Sequence, residues 1–301
     1  MSYKVTVIGA VNIDICGKPF ERFIPKDSNI GSVSHTIGGV GFNVARDLSL
    51  LGAEVRFVAA LGDDVYSAEI ENEANRFSID MTMCKIFSGE RNSVYLYVTD
   101  EHGDMLAAVN DMRINRHLNK EFFEPLIAEI SKNDAVVIDA NLESETLLYL
   151  CENITAPIFA DAVSANKVTR LEECLPYLTL FKPNAIEAGV LCGFEVNDYE
   201  SAERAAEYLV DKIGVAKVFI TMGAKGTVAY DGEMAIIKAP VSGGIVNTAG
   251  AGDAFFSCCV MAALEKKSLE ESCSFALRGA KCACQGEQAV NINLKLLSEK
   301  E

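Results

Sequence analysis

Short apolar runs alternate with amphipathic stretches along most of the 301-residue chain, and this alternation limits its fold more than any other feature. The runs are rich in Val, Ile and Phe and mostly lack a two-residue period, as expected for strands covered on both faces. They predict strands at 4–10, 55–60, 134–138, 157–160, 178–181 and 217–221. The stretches between them predict helices at 41–51, 64–77, 119–131, 143–153, 184–192 and 199–213. This order predicts an α/β fold with a doubly wound, mostly parallel sheet in three layers of Rossmann-like type.

A hairpin and two long helices are predicted late in the chain. The hairpin pairs residues 226–231 with 234–238 and turns at Asp231-Gly232. The second helix starts with a capping box, in which Ser268 precedes Glu271 by three residues.

Two segments, 12–37 and 91–110, break the alternation with short extended pieces. They predict a small antiparallel sheet, which is too small to bury its own apolar face. Such a sheet has to cover either a substrate site or a second subunit. The length of the chain suits one α/β domain spanning 1–301, with these segments inserted as a small appendage.

The charge balance excludes some classes of partner. The chain has 27 basic and 43 acidic residues, for a net charge of -16. A protein this acidic repels nucleic-acid phosphates and anionic lipid, so neither nucleic acid nor a membrane surface is an expected partner. The negative net charge does not exclude a small anionic ligand, because a few local N–H groups can hold one.

The cysteines and the N-terminal residues favour a cytoplasmic location. Ten cysteines and three histidines occur without the spacing of a zinc site, which predicts buried free thiols in a reducing compartment. The chain starts with a strand-like run at 5–8, without the pattern of a leader peptide, and its longest apolar run, 254–264, is too short to span a bilayer. We therefore expect a soluble, cytoplasmic protein.

The segment 247–255 (NTAGAGDAF) carries the strongest local signal. Gly250 and Gly252 allow a tight turn that presents consecutive backbone N–H groups, and an apolar helix follows at once. A helix N-terminus of this kind suits the charge on a phosphoryl group in transfer. Asp253 would then stand beside that anion as a general base. The alternative is a capped turn in which Asp253 is an ordinary N-cap residue.

The segment 38–43 (GGVGFN) is a second candidate site. Its three glycines let the backbone approach a ligand closely, and Asn43 can both donate to and accept from a sugar diol. Val44 stands where a dinucleotide fingerprint has its third glycine, and the chain has no Walker loop. The alternative is a strand-to-helix turn that needs glycines only for its geometry.

Asn184 and Glu187 follow the predicted strand 178–181 and lie three residues apart on one helical face. An amide and a carboxylate in this arrangement can hold Mg²⁺ through its water shell. They can equally form a capping box, and the sequence alone leaves both interpretations open.

Two further segments end predicted strands. After strand 217–221 comes the run 221–226 (TMGAKG), whose hydroxyl, glycines and lysine suit a triphosphate at the carboxyl edge of a parallel sheet. After the first strand, alternation puts Asn12 and Asp14 on one side. A carboxylate there is costly to bury unless it binds something, and sugar hydroxyls are a natural partner.

In this order the segments resemble the ribokinase-like (phosphofructokinase-B type) sugar and nucleoside kinases over essentially the whole chain. Residues 38–43 are similar to the first signature of that family and 247–255 to the second. The resemblance implies transfer of the γ-phosphate of ATP to a sugar hydroxyl, with Mg²⁺ as cofactor.

The resemblance also implies a role for individual residues. Asp253 would be the base, and the backbone of Ala249, Gly250, Ala251 and Gly252 would form the anion hole. Asp14, Gly39 and Asn43 would bind the sugar, and Asn184 and Glu187 would orient Mg²⁺ and phosphate. Thr221, Gly223 and Gly226 would line the nucleotide phosphates. The loop from Cys284 to about Asn291 would flank adenine.

Within the family the chain resembles the pseudouridine kinases in particular, at 27–31, 38–52, 110–112 and 161–167. A uracil ring joined through carbon keeps both ring N–H groups, so its edge offers two donors and two carbonyl acceptors. Matching hydroxyl, amide and carboxylate groups come from Ser28, Ser93, Asn110 and Asp111. Lys167 either reaches the acceptor hydroxyl or the transferring phosphate, or is a solvated surface lysine.

Two expectations concern assembly and ions. The resemblance implies that residues 12–37 and 91–110 correspond to the small β-sheet lid of the family. Many members of the family form homodimers through this lid, and we expect the same here. Many members have Asp where this chain has the neutral Asn247, so a requirement for K⁺ is in doubt.

Three alternatives remain. The first is a kinase for another nucleoside, ribose or a hexose. The second is a sensor that binds sugar or nucleotide without turnover, against which the retention of Asp253 argues. The third is a nicotinamide dehydrogenase, which the missing fingerprint disfavours.

Overall fold

The computed structural model of the chain describes residues 2–298. The strands in that range are β1 (Lys4–Ile8), β2 (Asn12–Pro19), β3 (Gly31–Gly38), β4 (Glu54–Val58), β5 (Ala60–Gly62), β6 (Lys85–Phe87), β7 (Ser93–Thr99), β8 (Met105–Asp111), β9 (Ala135–Asp139), β10 (Ile158–Asp161), β11 (Leu180–Lys182), β12 (Val218–Thr221), β13 (Thr227–Tyr230) and β14 (Ala235–Lys238).

The α-helices over the same residues are α1 (Val40–Leu50), α2 (Tyr66–Arg76), α3 (Lys120–Phe123), α4 (Ile127–Ile130), α5 (Ser144–Asn153), α6 (Ala185–Cys192), α7 (Tyr199–Glu207), α8 (Ala251–Leu264) and α9 (Leu269–Cys284). Tighter 3-10 turns occur at Arg113–His117, Val168–Tyr177, Gly223–Lys225 and Ile292–Leu297, and α7 continues as a π-helix over Tyr208–Ile213. None of the described helices is both long and apolar enough to cross a bilayer.

The main sheet has the strand order β14-β13-β12-β11-β10-β9-β1-β4. Strands from β12 to β4 are parallel to their neighbours, and the hairpin β13–β14 joins the edge antiparallel. Successive side chains of each strand enter two different cores: Val137 packs under α1, α8 and α9, and Val136 under α5, α6 and α7. This confirms the predicted doubly wound, mostly parallel sheet, and explains why its strands are apolar on both faces.

Polar side chains end four neighbouring parallel strands at the carboxyl edge of the main sheet. β9 ends at Asp139, β10 at Asp161, β11 at Lys182 and β12 at Thr221. The register pairs Asp161 with both Asp139 and Lys182, so these three residues lie side by side. Ligands of open parallel sheets bind at this edge.

A separate four-stranded sheet, called the small sheet below, has the order β3-β2-β7-β8. Its strands match the segments expected to form it, except that β3 and β8 each end one residue later. The prediction that the sheet is antiparallel was wrong for its central pair. β2 and β7 run parallel, whereas β2–β3 and β7–β8 are antiparallel. The chain passes through α1, β4 and α2 between β3 and β7. It can therefore enter β7 in the same direction as β2.

Three local expectations needed correction. The helix predicted at 119–131 is two single turns, α3 and α4, because Pro125 between them interrupts the hydrogen-bond ladder. The helix predicted at 199–213 loses its α-helical geometry after Glu207. Strands β5 and β6, which form a two-stranded parallel sheet, were not predicted.

All ten cysteines are free thiols, as predicted. Their burial is confirmed for half of them, Cys151, Cys174, Cys258, Cys259 and Cys273, and the others are partly exposed.

Candidate active site

The turn before α8 brings the start of this 14-residue helix toward the carboxyl edge of the main sheet. Gly250 has φ 75°, and a Cβ at this position would overlap the carbonyl oxygen of Ala289. Both facts restrict the position to glycine. The turn is thereby packed against the loop that follows α9.

Two of the four amides expected to form the anion hole already have acceptors inside the loop. The amide of Ala249 donates to Asn247 Oδ1 over 3.0 Å, and that of Ala251 to the carbonyl of Thr248 over 3.3 Å. Gly252, one residue on, lies in the first turn of α8, where an amide has no acceptor within its own helix. The amide of Gly252 therefore has a stronger geometric case for binding an anion than the amides of Ala249 and Ala251.

Asp253 stands in the same first turn and meets Asn43 from α1. Asn43 Nδ2 donates a hydrogen bond to Asp253 Oδ2 over 2.8 Å. The two glycine-rich segments that were predicted separately are thus joined through their polar side chains.

The pKa of Asp253 is raised to about 7, by burial and then by the negative charge of Asp161. The hydrogen bond from Asn43 and the positive charges of Lys182 and Arg46 oppose this rise. A carboxyl group with a pKa near neutrality takes up and releases a proton readily at pH 7.

Arg46 lies behind Asn43, one turn along α1, and is buried. Its guanidinium donates to Asn43 Oδ1 and, over 2.9 Å, to the carbonyl of Ile37 at the end of β3. It also pairs with Glu73 of α2 over 3.1 Å. Because Asn43 Oδ1 accepts from Arg46, the NH₂ group of Asn43 faces Asp253.

A buried ion pair lies on the other side of Asp253. Lys182 Nζ is 3.0 Å from Asp161 Oδ2, and both side chains are almost inaccessible to solvent. Burial disfavours the charged form of Lys182, but Asp161 and Glu187 outweigh it, so that the pKa of Lys182 is raised. A Cβ on Gly252 would be 3.4 Å from Lys182 Nζ, which puts this cation directly beside the first turn of α8.

Asn184 and Glu187 form the capping box that the sequence left open. Asn184 Oδ1 accepts from the amide of Glu187 over 2.9 Å, and Glu187 Oε2 accepts from the amide of Asn184 over 2.7 Å. Asn184 also pairs with Thr221 across the ends of β11 and β12. Burial raises the pKa of Glu187, and the charge of Lys182 opposes this rise.

Asp14, on β2, lies at the base of the small sheet. Asn12 Nδ2 donates to Asp14 Oδ1 over 3.0 Å, and burial raises the pKa of Asp14. Asn12 Oδ1 and Ser93 Oγ are buried without a hydrogen-bond partner in residues 2–298, and these two residues are paired across β2 and β7. Buried polar atoms of this kind ordinarily bond to a ligand or to water.

The glycine-rich turn before α1 lies close to Asp14. Gly39 has φ 98°, and a Cβ there would crowd the carbonyl oxygen of Ala10. Asp139 anchors this turn from below, because its Oδ2 accepts from the amides of Ala10 and Gly41, each over 3.0 Å.

Other predicted base-edge residues are not gathered at one place. Asn110 is exposed on β8, and Asp111, the next residue, points by strand alternation to the opposite face. Both Asp111 oxygens bond to the guanidinium of Arg113, at 2.8 Å and 2.6 Å. Ser28 lies in the exposed loop between β2 and β3, where its amide bonds to Asp27.

Lys167 is partly buried rather than fully solvated. Its Nζ donates to Asn141 Oδ1 over 2.6 Å and lies 3.3 Å from the sulfur of Met112, which follows β8. Burial lowers the pKa of Lys167, and the charge of Asp139 opposes this effect. The ammonium group thus stands between the carboxyl edge of the main sheet and the end of the small sheet.

The expected nucleotide side contains two residues with positive φ, Gly223 (56°) and Gly226 (93°), just after β12. A Cβ on Gly223 would meet open space, whereas one on Gly226 would overlap the carbonyl oxygen of Lys238. Gly223 therefore leaves room for a close approach to the backbone, and Gly226 is required by packing.

The side chains of Asn247 and Asn291 hold the neighbouring loops together. Asn247 Nδ2 donates to the carbonyl of Glu287 over 3.0 Å, and Asn291 Nδ2 to that of Cys282 over 2.7 Å. The carbonyl of Cys284 accepts from the amide of Asn247 over 3.3 Å. These bonds shape the loop walls and use the amide groups that were expected to face adenine or a cation.

Sequence reasoning missed four charged residues around the site: Arg46, Asp139, Asp161 and Lys182. The last three directly follow or end predicted strands, which is the signal that singled out Asn12 and Asp14. Arg46 has no such signal, since a charged residue in a helix usually faces solvent.

The arrangement combines a carboxylate with a pKa near 7, the backbone amide of Gly252 in the first turn of α8 and a buried ammonium group. A carboxylate of this kind can accept a proton from an alcohol, and the other two groups can stabilise an anion beside it.

The fold and the site define the chain as a phosphotransferase with an alcohol acceptor. It belongs to the pfkB family of carbohydrate kinases, whose family model matches residues 2–295. Pseudouridine kinase of Escherichia coli strain K12 is 31% identical over 295 residues, covering 97% of this chain and 94% of that protein.

Solved structures share the architecture over nearly the whole length. A carbohydrate kinase from Agrobacterium tumefaciens is 28% identical and covers 99% of this chain and 96% of its own, with a TM-score of 0.84. A ribokinase of Arabidopsis thaliana, determined in complex with ribose and ATP, is 20% identical with a TM-score of 0.82. These structures bear out the ribokinase-like fold, and the chain is a sugar or nucleoside kinase of this family.

Proposed function

We propose that the chain phosphorylates the 5′-hydroxyl of pseudouridine with ATP, giving pseudouridine 5′-phosphate and ADP. The observation that carries the reaction is the pair formed by Asn43 and Asp253 beside the first turn of α8. The choice of acceptor is supported by the 31% identity to a pseudouridine kinase along almost the full length of both chains.

Asp253 acts as the general base in this proposal. It accepts the proton of the acceptor hydroxyl as that oxygen attacks the γ-phosphorus in line with the leaving ADP oxygen. A pKa of about 7 keeps a large fraction of Asp253 deprotonated at neutral pH while leaving it basic enough to take a proton. The hydrogen bond from Asn43 holds the carboxylate in place.

The charge that develops on the transferring phosphoryl group meets the turn at Ala249, Gly250, Ala251 and Gly252, with the amide of Gly252 in the leading position. Lys182, 3.4 Å from the Cβ position of Gly252, adds a fixed positive charge beside the same point. Preorganised donors and charges in a site of low solvent access stabilise such charge strongly.

Asn184, Thr221, Gly223 and Gly226 line the nucleotide phosphates in this proposal, and the loop from Cys284 to Asn291 flanks adenine. Glu187 fits a Mg²⁺ ion held through water, because Oε2 bonds to the amide of Asn184 and the carboxylate has a second oxygen. Mg²⁺ prefers carboxylate and water oxygens, and when bound it neutralises phosphate charge. The neutral Asn247 uses its amide group within the loops, so we propose that any K⁺ site is built from main-chain carbonyls.

Asn12, Asp14, Gly39 and Asn43 bind the sugar in this proposal. The buried atoms Asn12 Oδ1 and Ser93 Oγ lack partners in the described part of the chain, and sugar or base polar groups would satisfy them. The edge of the uracil ring is assigned to Ser28, Ser93 and Asn110. Asp111 contributes only if its ion pair with Arg113 opens. Lys167 contacts the acceptor hydroxyl or the phosphate.

We also propose that the chain is one cytoplasmic domain that forms homodimers through the small sheet. Val33, Leu96 and Val109 share, by alternation, the face opposite to Asp14, and each is exposed. Charged substitutions on this face, such as Val109→Glu, should convert a dimer into monomers in sedimentation velocity. A wild type that sediments as a monomer at all concentrations would contradict the dimer.

The acceptor is tested by measuring ADP release from Mg²⁺·ATP with pseudouridine, uridine, cytidine, adenosine, ribose and fructose as separate acceptors. We expect the highest kcat/KM with pseudouridine and a product whose phosphorus resonance is that of a 5′-monophosphate. A preference for another acceptor would keep the kinase and replace the assignment of Ser28, Ser93 and Asn110. Nucleotide binding without turnover of any acceptor would favour a sensor.

A further inference from the structure

We infer that Tyr95, a residue with no assigned role, is the surface on which the aromatic base of the acceptor stacks. The inference rests on the proposed function and deepens it: it defines the acceptor class as a sugar that carries a flat heterocycle, and it adds a binding residue on the small sheet.

The strand register of the small sheet puts four residues in one row. Asp14 on β2 pairs with Thr36 on β3 and with Tyr95 on β7, and Tyr95 pairs with Asn110 on β8. Side chains that oppose each other on paired strands project from the same face of a sheet. The face that carries the proposed sugar ligand Asp14 therefore carries an aromatic ring next to it, followed by an amide.

The next row on this face brings a second aromatic ring close to Tyr95. It contains Cys16 and Tyr97, which are paired with each other across β2 and β7. The rings of Tyr95 and Tyr97 have centroids 5.5 Å apart and an interplanar angle of 31°. The hydroxyl of Tyr95 lies 3.3 Å from the sulfur of Met105. The ring of Tyr95 is thus held by contacts on two sides and is partly exposed on this face.

The dimensions of the row fit a nucleoside. Adjacent strands are about 4.8 Å apart, so the backbone of Tyr95 lies about 4.8 Å from that of Asp14. The backbone of Asn110, one strand further, lies roughly 10 Å from that of Asp14. A ribose held by Asp14 would place a base joined at its C1′ carbon over Tyr95, with the polar edge of the base near Asn110. A bare ribose would leave both of these residues without a contact.

Tyr95 and Asn110 would recognise different properties of a base. Stacking on an aromatic ring accepts any base, because every base has a π-face. Asn110 has both amide donors and a carbonyl acceptor, so it can distinguish between polar edges. Tyr95 would therefore set the preference for nucleosides over sugars, and the choice between nucleosides would lie with groups such as Asn110.

The kinetic test uses Tyr95→Ala and Tyr95→Phe, measured with pseudouridine and with ribose. We expect the ratio of kcat/KM for pseudouridine to that for ribose to fall about 5- to 100-fold in Tyr95→Ala, the range that loss of one base–aromatic stack implies. Tyr95→Phe, which keeps the ring, should retain the wild-type ratio. An unchanged ratio in a folded Tyr95→Ala variant would overturn the inference.

A binding test does not depend on turnover. The chain contains no tryptophan, so Tyr95→Trp gives a protein with a single tryptophan at the proposed platform. Pseudouridine and uridine should quench its emission to saturation, whereas ribose should not. The matched control is Tyr177→Trp, since Tyr177 is 47% exposed and precedes β11, at the opposite edge of the main sheet. Its emission should not respond.

These experiments separate the inference from the proposed function. Quenching in Tyr95→Trp without turnover of any acceptor by the wild type would support the platform and contradict the proposed reaction. Turnover of pseudouridine by the wild type, with no quenching in Tyr95→Trp at saturating pseudouridine, would overturn the platform and leave the reaction standing.

Discussion

Asn43 Nδ2 donates a hydrogen bond to Asp253 Oδ2 over 2.8 Å, joining the start of α1 to the start of α8. The contact spans 210 residues of sequence and connects the two glycine-rich segments of the chain. It places the one carboxylate of the first turn of α8 beside the amides of that turn.

The pH dependence of turnover should report Asp253. Its pKa is raised to about 7, and the carboxylate has to be deprotonated to act as a base. We expect kcat/KM to rise with pH through an inflection near 7 and to level off above it, falling about tenfold per pH unit on the acid side. The measurement is initial ADP release from pH 5 to 9 at constant ionic strength. A flat profile between pH 5 and 8 would exclude this role for Asp253.

Arg46 should fix the orientation of Asn43 and lower the pKa of Asp253. Replacing it in Arg46→Met removes a positive charge that lowers the pKa of Asp253, so the inflection should move to higher pH. The rate above the inflection should fall by roughly tenfold, because Asn43 loses its hydrogen-bond donor. Arg46→Lys keeps the positive charge, so its inflection should move less than that of Arg46→Met. An inflection that stays in place in Arg46→Met would argue against this role.

Lys182 should matter for stability through Asp161 and for turnover through the phosphoryl group. Lys182→Met leaves the buried Asp161 carboxylate unpaired and should lower the free energy of unfolding by about 3–5 kcal/mol. The double variant Lys182→Met, Asp161→Leu replaces the pair by apolar groups and should recover much of that loss without recovering kcat. Urea unfolding and ADP release measure the two effects. Full recovery of kcat in the double variant would show that Lys182 acts only structurally.

Asp47 should lower stability at neutral pH. It is buried in α1, and neither carboxylate oxygen has a hydrogen-bond partner among residues 2–298. Burial, and then the charge of Asp253, raise its pKa well above the usual value. A carboxyl group whose pKa is raised by folding stabilises the fold most below about pH 4, and this contribution is lost as pH rises through the folded pKa.

Asp47→Asn should therefore raise the free energy of unfolding by about 1–2 kcal/mol at pH 8 and have little effect near pH 4. Urea unfolding at both pH values measures the difference. The exposed Asp104, changed to Asn in the same way, is the control and should show no such pH dependence. A loss of stability in Asp47→Asn at pH 8 would mean that the carboxylate has a favourable partner.

Local patterns were sufficient to predict the parallel core. Residues 135–138, for example, are apolar on both faces because β9 is covered by helices on both sides. Strand direction in the small sheet was beyond such patterns, because it depends on where the long connection from β3 re-enters the sheet at β7. The break between α3 and α4 was readable in principle from Pro125.

The residues of the candidate site also fall into those that local sequence predicts and those that it does not. Asp253 and Asn43 stand in glycine-rich segments, and the sequence of these segments was sufficient to predict both as site residues, although not the contact between them. Arg46 could not be chosen from sequence, because a buried charge within a helix is recognised only by its neighbours in space. Asp161 and Lys182 follow predicted strands, but their ion pair became visible only in the structure. Asn184 and Glu187 show that two interpretations of one motif are compatible, since the capping box occupies only part of their polar atoms.

Asp253→Asn is the variant that decides whether Asp253 is the base of the reaction. The amide has nearly the same shape and can still accept from Asn43, but it does not take up a proton at neutral pH. Calorimetry should give dissociation constants for ATP and pseudouridine close to those of the wild type, while ADP release at saturating substrates falls by several orders of magnitude. Turnover within tenfold of the wild type, with both ligands bound, would contradict the account.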